Sequence, residues 1–297
     1  MREKIADFFY AFCISAGGVS VALLYPVDLV GAVAIALVSV GAGIFFVHFD
    51  TDARRHDFLS VGALFSSAVS LWLGVTLVTD FTLDNSFVPI CLFLSFVVAV
   101  AIAFSSDRAS KSVASAMSVI AITLLLVIFL LCVLESDFST KITVSNDKKI
   151  LFPLAIFSVF DTVFILPSIK KKNRIFCLFG GVLMPLYLVA TVAITLFALP
   201  HNVYFGPVTP IIKMWQTCFV LSFIDRFETL IICVIFAINV LKSGILLKTA
   251  LCKIKKPLIF IPALLAVALI FRPALIYVFA IFTAIFVLIY LLFKKTY

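Results

Sequence analysis

Residues 5–25 read IADFFYAFCISAGGVSVALLY, an apolar run whose single charged residue, Asp7, lies near its start. Crossing about 30 Å of hydrocarbon takes about 20 helical residues, and this run supplies them. At its centre stands Ser15-Ala16-Gly17-Gly18-Val19-Ser20. Each glycine costs about 1 kcal/mol of helix propensity relative to alanine, so the pattern predicts a span broken near the bilayer midplane. Two roles fit such a break. The missing side chains leave room for a ligand, and the same small residues let membrane helices approach closely. The basic start MREK is that of a signal peptide, but no A-x-A-like site follows, so the run is expected to stay as the first span.

The rest of the chain has the same character. Of 297 residues, 64% are apolar and 13% charged, with 33 Phe and a mean hydropathy of +1.26. Soluble domains carry about 25% charged residues, so this composition predicts an integral membrane protein and excludes a soluble enzyme, a disordered scaffold and a disulfide-built module. The net charge of +8 then reads as membrane topology, with no nucleic-acid partner implied. Seven scattered cysteines read as small buried hydrophobes. His48, His56 and His201 have no ligand spacing, and no metal site or cofactor is expected.

Cutting the sequence at its charged and turn-forming clusters gives ten candidate spans, at about 5–25, 28–48, 58–79, 87–105, 113–134, 150–168, 175–198, 219–247, 257–271 and 273–293. Alternate connections between them carry 16 and 5 Lys and Arg residues, which predicts both termini on the cytoplasmic side. The polar segment ESDFSTKITVSNDKK (135–149) divides the spans five plus five. Halves that begin on opposite sides form an inverted-topology repeat. One polytopic membrane domain over 1–297 is therefore expected, with repeats at about 5–134 and 150–293.

In such a repeat, span six is the counterpart of the broken first span. It contains Asp161 near its midpoint, flanked by Phe157 and Phe160. An ionised carboxylate at a membrane helix centre costs about 2.5–3.5 kcal/mol on insertion scales, so Asp161 needs a partner or a cavity. Span eight carries Asp225, Arg226 and Glu228 in its outer third. Neighbouring positions on a helix do not face each other, so Arg226 is expected to pair with another span or subunit and the cluster to serve assembly or transmission. Lys242, later in the same span, is expected to snorkel to the cytoplasmic surface. Ser66, Ser67, Ser70 and Trp72 form a polar-aromatic stripe on span three, and Gly180-Gly181 with Pro185 predicts a kink in span seven. The segment 199–216 is expected to be an ordered outer cap. No nucleotide-binding, zinc-protease or nucleophile-elbow pattern is present, so no enzymatic activity is expected.

Three stretches carry a family resemblance: SFIDRFETLIICVIFAINVLKSG (222–244), FSVFDTVFILPSIKKKNR (157–174) and AGGVSVALLYP (16–26). They resemble the eighth, sixth and first helices of the membrane-embedded B subunit of bacterial spore germinant receptors, with Phe236 standing where that family has Trp. The resemblance implies the ten-helix, five-plus-five fold of the amino acid-polyamine-organocation superfamily. It also implies a small-molecule germinant, such as an amino acid, bound between broken helices one and six, with Ser15, Gly17, Gly18, Phe157 and Asp161 at the site. Partners would be the other germinant receptor subunits and the lipid bilayer, and the resemblance implies a spore inner membrane or cytoplasmic membrane. A proton-coupled amino-acid or amine permease of the same fold is the alternative, and an assembly protein with a vestigial cavity a third.

Overall fold

In the computed structural model, the described residues are 2–24, 27, 29–47, 56–83, 85–135, 161–162, 164–165, 169–199, 209–217 and 227–251. Every regular element among them is a helix: α1 (Arg2–Ala16), α2 (Val19–Leu24), α3 (Leu29–Val47), α4 (His56–Phe81), α5 (Val88–Ala103), α6 (Asp107–Glu135), α7 (Arg174–Ala198), α8 (Pro210–Thr217) and α9 (Phe227–Leu251). Four stretches are long and apolar enough to cross a membrane, within α4, α6, α9 and the region 171–197 that contains α7, while α3 and α5 contain shorter apolar stretches. The outward faces are apolar too. Leu37 on α3, Phe93 on α5, Leu134 on α6 and Phe179 on α7 are each more than half exposed, the reverse of a water-soluble helix. A bundle with such faces is a multi-pass membrane protein.

The helices match expected spans one to five, seven and eight, with differences at their ends. Span one is broken where the glycines place it: α1 ends at Ala16, Gly17 and Gly18 form a turn, and α2 starts at Val19. α6 begins at Asp107, six residues before the expected 113. The Ser106 side chain caps the Ala109 amide at 3.2 Å, and Asp107 lies in the first turn, where an anion suits the helix dipole. α9 continues to Leu251, four residues past the expected end. α7 runs unbroken through Pro185. Its glycines serve close packing, since the Phe8 carbonyl of α1 lies against Gly180 and a Cβ at Gly181 would meet Thr162 at 3.0 Å. The expected outer cap contains a helix, α8, whose Thr209 flank donates a 2.6 Å hydrogen bond to the Leu23 carbonyl at the end of α2. Span six, apart from Asp161, Thr162, Phe164 and Ile165, and spans nine and ten lie outside the described residues.

α4 and α9 form the centre, packed on each other and flanked by α5. Small residues bring them together: the Ser67 hydroxyl lies 2.7 Å from the Ser243 hydroxyl, and a Cβ on Gly74 would meet the Asn239 Cβ at 2.8 Å. α1 packs on α6 and α7. Its first turns are fixed by polar contacts. Asp7, 1% exposed, accepts hydrogen bonds from Lys111 at 2.5 Å and Asn173 at 2.7 Å. Glu3 pairs with Lys170 at 2.6 Å, and Lys248 pairs with Asp107 at 2.6 Å. Basic residues from connections counted on the richer side thus gather at one end of the bundle.

Candidate functional site

The turn at Gly17-Gly18 faces α9. A Cβ on Gly17 would lie 2.5 Å from Lys242 Cδ, 3.2 Å from Asn239 Oδ1 and 3.4 Å from Lys242 Nζ. Glycine is required here because the lysine side chain occupies the space a β-carbon would fill. Lys242 is fully buried, and its ammonium forms an ion pair with the equally buried Asp161 carboxylate. The Ser66 hydroxyl of α4 donates to the other carboxylate oxygen of Asp161. The break in the first span, the Asp161 segment, α4 and α9 therefore meet at one pair of opposite charges.

Lys242 does not snorkel. Its position three residues after Asn239 keeps it on the α9 face turned to the helix break, where a carboxylate awaits it. Reaching the surface would leave Asp161 buried without a counter-charge, and breaking a buried pair in this way costs about 3–5 kcal/mol. The serines of α4 also do more than pack. Ser66 meets Asp161, Ser67 donates at 2.9 Å to the Ser243 carbonyl, and Ser70 donates at 2.7 Å to the Ser66 carbonyl.

The break itself is less open than expected. Gly18 N donates to the Ser15 carbonyl at 2.9 Å and Ser20 N to the Gly17 carbonyl at 3.3 Å, because the turn closes three-residue hydrogen bonds in place of helical ones. Those two amides are not free for a carboxylate. The Ser15 hydroxyl is also engaged, donating at 2.6 Å to the Gly181 carbonyl of α7. Beside Ser15 and Gly18 lies a cleft of about 10 Å³ bounded by Val19, Ala22, Ile35 and Met184, the size of a single water. A larger pocket of about 340 Å³ lies among α1, α6 and α7, lined by apolar side chains such as Phe12, Leu125, Phe129 and Met184, and by Tyr187. It has no charged wall and does not suit a polar solute.

Of the remaining expected site residues, Phe157, Asp225 and Arg226 lie outside the described residues, and Glu228 is half-buried in the first turn of α9. Asn239 and Lys242 are the members that sequence reasoning missed. Both stand as polar residues three apart in an apolar helix, a spacing that puts them on one face. No protein-family profile matches the chain, and no curated protein matches it.

Proposed function

We propose that this chain is a solute-sensing membrane subunit of the spore germinant receptor type, built as ten spans in a five-plus-five inverted repeat with cytoplasmic termini. It binds a small nutrient, such as an amino acid, where the broken first span meets Asp161. The observation that carries this reading is the buried Asp161–Lys242 pair pressed against Gly17. Ionisable residues inside a membrane bundle mark ligand or ion pathways by default, and this pair sits where a span is interrupted. Lys242 fills the break, so a ligand with an amine enters by taking Asp161 from it. The displaced lysine is the event passed along α9 to partner subunits.

A permease with proton coupling is the second reading, favoured by the same pair, since a buried carboxylate facing an ammonium is a group that can carry a proton. One experiment separates them. The purified chain in nanodiscs is screened for thermal stabilisation by a panel of α-amino acids, and then reconstituted in proteoliposomes for uptake of any labelled hit. Binding without uptake, lost in Gly17→Leu protein, is the expected result. Uptake by the chain alone establishes the permease, and no stabilisation by any member of the panel overturns the amino-acid assignment of the site.

A further inference from the structure

Asn239 is a buried side chain with half of its hydrogen-bonding capacity in use. Its amide nitrogen donates to the Ser20 hydroxyl at 2.5 Å and to the Ile235 carbonyl at 2.9 Å, which ties α9 to α2 and fixes the amide orientation. Its oxygen, Oδ1, accepts no hydrogen bond among the described residues although the side chain is 0% exposed. Buried acceptors are ordinarily satisfied, and each exception calls for a reason. The direction of this oxygen supplies one. It lies 3.2 Å from the point beside Gly17 that is itself 3.4 Å from Lys242 Nζ. Asn239 and Lys242 stand three residues apart on one helix, so their side chains share a face. The lysine stem has four rotatable bonds, so its ammonium can swing on that face past the point beside Gly17 that both groups border.

We propose that Asn239 is a positioning residue for Lys242: the second acceptor to which the ammonium turns when Asp161 is taken. The lysine then has two seats. In the first it pairs with Asp161, and in the second it donates to Asn239 Oδ1, so it is never left buried without an acceptor. The absence of a β-carbon at Gly17 keeps the path between the two seats open, and the bond from the Asn239 amide nitrogen to the Ile235 carbonyl keeps the amide oxygen turned toward it whether or not Ser20 is engaged. The consequence for sensing rests on the reading of the break as a ligand site. The two-seat arrangement does not, and it is tested without ligand.

The experiment is a thermal-stability series on the purified full chain in nanodiscs. Asp161→Asn weakens the first seat and sends the ammonium to Asn239, so its Tm falls by only a few degrees, less than the roughly 6–20 °C of an uncompensated buried charge. Asp161→Asn with Asn239→Leu leaves only the weakened first seat, and Tm falls by clearly more than the sum of the two single losses. Asp161→Asn with Asn239→Asp moves the carboxylate to the second seat and recovers most of the loss, a rescue that a residue serving only to bond Ser20 would not give. Ser20→Ala with Asp161→Asn is the control, and its losses add. If a variant does not accumulate, the membrane level of Asp161→Asn/Asn239→Asp relative to Asp161→Asn is read in place of Tm, with recovery again expected. Additive losses with Asn239→Leu, no recovery with Asn239→Asp, or non-additivity reproduced by Ser20→Ala each overturn the proposal.

Discussion

Replacing Gly17 by alanine is the smallest change that tests the site. The new methyl group would lie 2.5 Å from Lys242 Cδ, where ordinary carbon contacts are about 3.5–4.0 Å. The lysine stem must therefore retreat by about 1 Å. Its root is fixed by the packing of α9 on α4, and its tip is held by Asp161. Retreat thus draws the ammonium from the carboxylate or bends the stem off its rotamer. Overpacking of this kind costs about 1–3 kcal/mol, rising toward the roughly 3–5 kcal/mol of a broken buried pair if the two charges separate. At about 2–4 °C per kcal/mol, Tm should fall by about 2–12 °C in nanodiscs, and by up to about 20 °C if the pair is broken. Gly41→Ala is the matched control, because a Cβ there has nothing within 4 Å and alanine is the better helix former. A Gly17→Ala protein as stable as Gly41→Ala would show that Lys242 does not occupy the break, and the site described above would fall with it.

Lys242→Met leaves Asp161 buried without its counter-charge, so Tm should drop by about 6–20 °C, whereas Lys242→Met with Asp161→Leu should recover most of it in the same melts. Asp7→Ala frees Lys111 and Asn173 and loosens the start of α1. Maleimide labelling should then reach the native Cys13, buried on α1, while Cys132, buried in the last turn of α6, stays protected. Glu3 is held below the ordinary carboxylate range by the hydrogen bond and charge of Lys170. Its folded pKa is the lower one, so the pair contributes at neutral pH and is lost as pH falls through that value, and the melting curves of Glu3→Gln and the unaltered protein should converge on acidification. Single-cysteine labelling should find positions 171 and 255 on the cytoplasmic side and 141 and 201 outside, in agreement with the split of basic residues.

What can be read from the chain follows from one-dimensional rules. Span length and charge clusters locate the helices, and Gly17-Gly18 locates the break, because both depend on residues within a turn or two of each other. Asp161 stands out because a carboxylate in an apolar span needs a partner. The identity of that partner is not legible, since Ser66, Asp161 and Lys242 come from distant parts of the sequence and meet only through tertiary packing. Lys242 lies nine residues before the end of α9, a position from which a lysine can point to the surface or inward. Periodicity does not choose between them, and only the carboxylate opposite does. The closed amides of the break escape a sequence reading for a related reason: a double-glycine turn closes its own hydrogen bonds, which depends on dihedral angles that composition does not specify.

A pair of charges is a costly way to join helices. Apolar side chains of equal volume in place of a buried ion pair often leave a protein as stable or more so, by up to about 4 kcal/mol, and this bundle has no shortage of Phe, Leu and Ile to use. Elsewhere small residues join its helices without charge. Ser67 and Ser243 close α4 on α9, and Gly180 admits the α1 backbone to α7. Asp161 and Lys242 do something those contacts cannot, because their attraction can be exchanged for another charge or another acceptor without rebuilding the core. Such exchangeability is useful at an interrupted span, where the backbone beside the pair is not held as one continuous helix. The Asn239 oxygen beside the pair, which accepts no hydrogen bond among the described residues, fits the same logic, since a second position of the ammonium would supply its donor.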